Sequence, residues 1–291
     1  MILSFDIGGT FIKYGVIDDH MSFLKKSMIE TQAHLGGHHI ISQIIRLSNQ
    51  LKQAYPPIDG IAISSAGVIE PFQGIVLSAT DAIPDYIGIN IKQMVEQGTQ
   101  LMTTVENDVN CAALAESRLA DCPTDELIAL TVGTGIGGAI IHSGHLVRGH
   151  AFSAGEWGKM YITGKHFEKL ASINALIQDA KDHDLMVSDG ESLFKMYDQG
   201  NIIAHAVVHR FYHFLSLGIA NLIFTLNPKV IVIGGGISNR KEKFIEEITQ
   251  TLRLHLPSYY IDHVEIRLPK YFNDAGMLGA YLHHKDTKKS T

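Results

Sequence analysis

The chain has 291 residues, 45% of them hydrophobic, with 24 Lys and Arg against 30 Asp and Glu and a formal net charge of −6 with neutral histidine. That length accommodates two domains of ordinary size, each with its own core, and the acidic balance excludes a basic field able to hold nucleic acid or an anionic membrane. The two cysteines, Cys111 and Cys122, are too few for a disulfide framework and lack C-x-x-C spacing, which fits a reducing compartment.

No apolar run reads as long enough to span a membrane, and the N-terminus enters a strand without a basic segment and cleavage site. The expected location is the cytoplasm and the expected partners are small solutes, with no nucleic acid and no membrane. The first hairpin pairs residues 2–5 with 11–17, and a third strand runs near 23–31. A helical stripe follows over 38–55, with Ile40, Ile41, Ile44, Ile45, Leu47 and Leu51 on one face, ended by Pro56-Pro57. After a buried-type strand at 58–64, residues 65–90 read as a loop rich in glycine and proline, the kind of segment where small ligands sit. A helix at 91–97, a strand at 101–106 and a helix at 109–119 lead to a second hairpin, 127–132 with 139–141. The restart of the hairpin pattern places a domain boundary near 107–124.

The second half carries a long apolar helix at 201–226, a strand at 230–233, an amphipathic helix at 241–254 and a strand at 264–268. Residues 274–284 read as a closing helix and 285–291 as a polar, frayed tail.

The turns of the two hairpins, Asp6-Ile7-Gly8-Gly9-Thr10 and Gly133-Thr134-Gly135-Ile136-Gly137-Gly138, suggest one fold used twice. Glycine brings bare N–H groups close to a ligand, and threonine adds a hydroxyl donor without bulk. Taken singly, such a turn is more often an ordinary hairpin turn than a phosphate site. Two facing turns of this kind would grip a nucleotide triphosphate from both sides of a cleft. Neither matches the P-loop or the Rossmann fingerprint. The strand at 230–233 runs into Gly234-Gly235-Gly236, which reads either as a simple strand-to-helix turn or as a surface where backbone meets adenine or ribose.

Glu106-Asn107-Asp108 ends a strand and opens a helix, where Asn107 or Asp108 could serve merely as the N-cap. Together with Asp6 to Thr10, Glu106 to Glu116, Gly133 to Gly138 and Ala154-Gly155-Glu156-Trp157-Gly158, in that order, it makes the chain resemble the ROK family of sugar kinases and sugar-responsive repressors, within the actin-like ATPase superfamily. Gly234-Gly235-Gly236 and Asn273-Asp274-Ala275-Gly276 extend the resemblance over essentially the whole chain. It implies an α/β fold of duplicated actin-like (ribonuclease H-like) type, two domains around a cleft. Residues 1–110 would form the first domain, 111–273 the second, and the helix at 274–285 would return to the first.

The resemblance further implies an ATP-dependent sugar kinase with Asp108 as catalytic base, acting chiefly by aligning the sugar hydroxyl. Asp6 would lie near Mg²⁺ through water. Gly8, Gly9, Thr10, Thr134 and Gly135 would surround the phosphates, and Gly235 and Gly236 would pack against adenosine. Ser65, Gly67, Asn107, Asp108, Glu156 and Glu168 would meet the sugar, although Glu168 reads equally as an exposed helix carboxylate. Asp81 stands near the family's sugar-binding asparagine in a loosely matching loop. A homodimer is implied too, with the helix at 201–226 either at its interface or in the core.

Many relatives carry a histidine and a C-x-C-G-x-x-G-C cluster that hold a structural zinc; here Lys159 takes the histidine position and no cysteine follows Cys122. A Cys₃His zinc site is therefore excluded. The zinc-lacking branch that includes β-glucoside kinases has a similar Ala-Gly-Glu-aromatic-Gly block, and the absent zinc loop favours a β-glucoside as substrate, with glucose, N-acetylmannosamine and fructose left open. His205, His209 and His213 share a helical stripe without an acidic partner and read as a packed or interface face; His142, His145 and His150 read as solvated loop residues. A sugar-binding transcriptional regulator is the rival reading, but the first hairpin begins at residue 2 and leaves no room for a helix-turn-helix before it. A catalytically silent sensor would be expected to lack the base or the phosphate turns, and both are present.

Overall fold

Strands β1 (Ile2–Ile7) and β2 (Phe11–Ile17) form the expected hairpin in the computed structural model, which describes residues 1–290. β3 (Phe23–Glu30) extends it, followed by α1 (Gly37–Ala54), whose Ile40, Ile41, Ile44 and Leu51 are buried. Each such side chain contributes about 1.5–3 kcal/mol on leaving water. Next come β4 (Gly60–Ser65), β5 (Val68–Glu70), β6 (Ile75–Ser78), α2 (Ile91–Thr99), β7 (Thr103–Asn107) and α3 (Asp108–Leu119). The sheet order is β3-β2-β1-β4-β7, with β1, β4 and β7 parallel and β2 and β3 antiparallel to their neighbours.

The same plan recurs. β8 (Leu127–Val132), β9 (Ile136–His142) and β10 (His145–Leu146) make an antiparallel run, and a small hairpin of β11 (Tyr161–Ile162) and β12 (Lys165–His166) follows. Four helices come next, α4 (Glu168–Ala171), α5 (Ile173–Asp182), α6 (Gly190–Asp198) and α7 (Ile202–Leu226). β13 (Val230–Gly234), α8 (Glu242–Leu252), α9 (Ser258–Ile261), β14 (Glu265–Arg267) and α10 (Ala275–Ser290) complete the chain. The second sheet has the order β10-β9-β8-β13-β14, again with three parallel strands and two antiparallel ones. This is the duplicated actin-like α/β fold that the sequence led us to expect.

Two units result. One holds Met1–Asp121, Arg148–Ser153 and the described residues from Tyr271 onward; the other holds Cys122–Val147 and Ala154–Lys270. In the first, α10 packs on α3 so closely that a Cβ at Gly279 would overlap the Cys111 carbonyl, a fit only glycine permits.

Three expectations need correction. The segment 65–90 is not all loop, because β5 and β6 pair within it. Residues 285–290 are not frayed, and Thr291 lies outside the described residues: α10 continues to Ser290, held by Lys285 Nζ to Asp19 Oδ1 and Arg118 Nη1 to Asp286 Oδ2, both at 2.6 Å. And α7, at 25 residues, is long and apolar enough to cross a membrane by length and composition. Half of its apolar window is buried inside the protein, where Val207, Phe211, Leu215 and Ile219 join the core of the second unit.

Candidate active site

In the first unit the parallel register aligns Ile7, Ser65 and Asn107 at the carboxyl ends of β1, β4 and β7, the edge where ligands of open α/β sheets bind. Asp6 lies just inside this edge. Its Oδ1 accepts from Ser64 Oγ at 2.7 Å, and Lys13 Nζ stands 3.6 Å from Oδ2. Gly276 abuts the same carboxylate, so that a Cβ there would fall 2.5 Å from Oδ1. The Gly8-Gly9-Thr10 turn is fastened at its base by Gly8 N–H to Phe11 O (3.1 Å) and Thr31 Oγ1 to Gly8 O (2.6 Å), leaving Gly9 and Thr10 exposed at the tip.

At the start of α3 the cap is Asn107, whose Oδ1 accepts from Asn110 N–H at 3.0 Å. Asp108 is thereby released from capping into the first turn, where the helix dipole favours an anion. Its Oδ1 accepts from Val109 N–H at 2.9 Å and from Asn107 Nδ2 at 3.0 Å, and Asn107 Nδ2 also donates to Gly67 O at 2.9 Å. The fold thus brings together Gly67, Asn107 and Asp108. Ser65 is fully buried, its hydroxyl 2.7 Å from Tyr86 Oη. Burial pushes the Tyr86 phenol up to about 12, opposed by the Ser65 bond and aided by the Asp108 charge. Tyr86 was not singled out in the sequence, because among Ala82, Ile83, Pro84 and Ile87 nothing local distinguishes it from one more apolar loop residue. Asp81, on the same loop, is exposed.

In the second unit, the Gly133-Thr134-Gly135 turn closes through Gly133 N–H to Gly135 O at 3.0 Å, with Thr134 exposed. Glu168 opens α4 directly beneath it: a Cβ on Gly135 or on Gly158 would lie 2.8 Å from Oε2. Its other oxygen, Oε1, accepts from Lys159 Nζ at 2.6 Å. Glu156 keeps solvent exposure, yet the protein around it pushes its carboxyl up, with Lys159 opposing and Glu168 adding to the shift. The bond to Glu168 raises Lys159 in turn. Glu156, Lys159, Glu168 and the glycine turn therefore form one electrostatic cluster.

A pocket of about 850 Å³ in the same unit is lined by Ile173, Phe194, Gly236, Ile237, Arg240 and Lys243, among others. Ser172 caps α5, and Ile173 N–H donates to Gly133 O at 2.8 Å, which ties one wall of the pocket to the glycine turn. Gly235 has φ +87°, and any side chain there would strike the Val132 carbonyl. Arg240 stands 4.6 Å over the Phe194 ring and pairs with Asp198 at 2.8 Å and with Glu247. Arg240 was missed in the sequence, since nothing local distinguishes it from a surface cation.

The histidine stripe packs against rings: His205 lies 4.3 Å from Tyr197 and His213 5.1 Å from His255, centroid to centroid. His142 pairs with Glu126 at 2.9 Å. Among the described residues no group of three or more His, Cys, Asp or Glu is placed to hold a metal ion.

The profile of the ROK family matches residues 2–287. The chain belongs to the ROK family. A β-glucoside kinase of Listeria monocytogenes is 32% identical over 294 residues, covering 97% of this chain and 96% of the relative. A glucokinase of Halalkalibacterium halodurans is 30% identical over 305 residues, covering 94% and 92%. The structure of a ROK family glucokinase from Streptomyces griseus in complex with glucose and AMPPNP superposes with a TM-score of 0.78 at 27% identity, covering 96% of this chain and 97% of that one.

Proposed function

We propose that this ROK-family chain is an ATP-dependent sugar kinase in which Asp108 is the catalytic base. The observation that carries the reading is the handover at α3: Asn107 takes the cap, and the Asp108 carboxylate is held by two donors on Oδ1 at the ligand-binding edge of the sheet. A sugar hydroxyl directed by Asp108 attacks the γ-phosphorus of ATP, the new O–P bond forms as the bond to the β-phosphate oxygen breaks, ADP leaves, and the hydroxyl proton passes to Asp108. In such a loose transition state a carboxylate works mainly by aligning the nucleophile.

Gly8, Gly9, Thr10, Thr134 and Gly135 would cradle phosphate. The pocket at Gly236, next to Gly235, suits adenosine, since its lining combines apolar Ile173, Phe194 and Ile237 with polar groups such as Asn239. Magnesium, which neutralises phosphate charge when bound, fits Asp6: one carboxylate beside a phosphate turn matches an ion that keeps several waters. Ser64 fixes the orientation of that carboxylate.

For the sugar, we favour a β-glucoside. Glu168, if it faces the anomeric position, would leave an unpaired buried acceptor opposite a glycoside oxygen, which has no proton to give. Lys159 removes that objection, because it already supplies Glu168 with a donor. Glucose, N-acetylmannosamine and fructose are the alternatives. The test is ATP consumption by the purified protein against a panel of these sugars, cellobiose and aryl β-glucosides. The reading predicts turnover on at least one, and kcat/KM for a β-glucoside no lower than for glucose; no sugar-dependent consumption across the panel would refute the kinase reading, and a strong preference for a free sugar would refute the β-glucoside.

A further inference from the structure

Glu106 immediately precedes the Asn107 cap and is 1% exposed. Three donors converge on its carboxylate: Asn107 N–H and Asn110 Nδ2, each at 2.9 Å from Oε1, and Arg148 Nε at 2.7 Å from Oε2. A carboxylate this deep stays ionised only when a cation and hydrogen bonds replace its water. Here the Asn107 backbone N–H and the Asn110 side-chain amide need an anion or a carbonyl-like acceptor at Oε1, and the guanidinium supplies the countercharge at Oε2. His283 of α10 also feels this pair: burial pushes its imidazole down, with Glu106 opposing and Arg148 adding to the shift, and the other charges that act on it, Arg118 and Asp286, pair with each other at 2.6 Å.

The origin of the arginine is unusual. After β10 the chain lends Arg148–Ser153 to the first unit and returns at Ala154 to the second. This lent segment is fastened twice, by Arg148 on Glu106 and by the Phe152 ring meeting the Phe72 ring edge-on at 6.0 Å.

We infer that Arg148 is a positioning residue for the phosphoryl transfer: by holding Glu106 as an anion it fixes the Asn107 cap, and through the cap the direction of the Asp108 carboxylate. The inference rests on the reading of Asp108 as the base. Without Arg148, Glu106 either carries an unpaired buried charge or takes a proton and presents an O–H where only acceptors are wanted. Both disturb the 106–110 turn while leaving the sugar and nucleotide contacts elsewhere in place. The effect belongs in kcat rather than in KM.

The test is a cycle of Arg148→Met, Glu106→Gln and the double variant, with Asp108→Asn and Arg148→Lys alongside, each assayed for ATP consumption with glucose and with cellobiose and each checked for its thermal midpoint. Arg148→Met should lower kcat at least tenfold with both KM values within about threefold of the parent. In the Glu106→Gln background, where no charge needs a partner, the same change should cost less than about threefold. If Arg148→Met does not fold, Arg148→Lys decides: it keeps the charge without the planar donor, and it should lose kcat while KM holds. Parental kcat in the folded arginine variant, or an undiminished cost in the Glu106→Gln background, overturns the inference. Loss of turnover in Asp108→Asn beside an unaffected Arg148 variant overturns it alone, whereas near-native turnover in Asp108→Asn overturns the reading of the base and the inference with it.

Discussion

Lys159 Nζ donates to Glu168 Oε1 at 2.6 Å, and the other oxygen of that carboxylate underlies Gly135. One lysine thus offsets the charge of a glutamate placed against a turn proposed to bind phosphate, and it stands where zinc-bearing relatives are expected to have histidine. Replacing it by Met should leave Glu156 and Glu168 to repel each other. We expect the sugar KM to rise several-fold, with Glu168→Gln restoring part of the loss; an unchanged KM for sugar and ATP would separate this cluster from binding.

The missing cysteines make a second expectation simple. Purified protein should carry less than about 0.1 equivalent of zinc, and a chelator should not shift its thermal midpoint, since structural zinc sites contribute folding energy outright. One tightly held zinc per chain by metal analysis would contradict the account and direct attention to the histidines.

Acid should weaken the fold through His284. This side chain is wholly buried on α10, with Nδ1 3.1 Å from Thr104 Oγ1, and burial lowers its pKa from 6.5 to about 4. The unfolded chain binds this proton near pH 6.5 and the folded chain only near 4, so the stability is complete above 6.5 and is lost as pH falls across that window. The loss approaches roughly 3 kcal/mol. His284→Asn keeps a hydrogen-bonding group without titrating, and its thermal midpoint should fall less steeply than the parent's between pH 6.5 and 4; parallel curves would show that other groups govern acid unfolding.

Much of this architecture was legible because the signals were local. The two glycine turns lie between β-type runs, the stripe of Ile40, Ile41 and Ile44 marks α1, and Asn107 offers a cap at a strand end. What was not legible depends on contacts distant in sequence. β5 and β6 are only three and four residues long, too short for alternation to register, and pair within a segment rich in glycine and proline. The tail of α10 looked like a solvated charge run until Asp19 and Arg118 were seen to pair with it. Lys159 and Glu168 meet only because the β11–β12 hairpin folds back between them, and Arg148 reaches Glu106 from 42 residues away. Long-range ion pairs leave no periodic trace in a sequence.

The most direct measurement is the turnover of Asp108→Asn together with its sugar affinity by calorimetry. The amide keeps the shape of the carboxylate but cannot take the proton. Turnover should fall by at least about 100-fold while the sugar Kd stays within about threefold. Near-native turnover would contradict the assignment of Asp108 as the base of a sugar kinase.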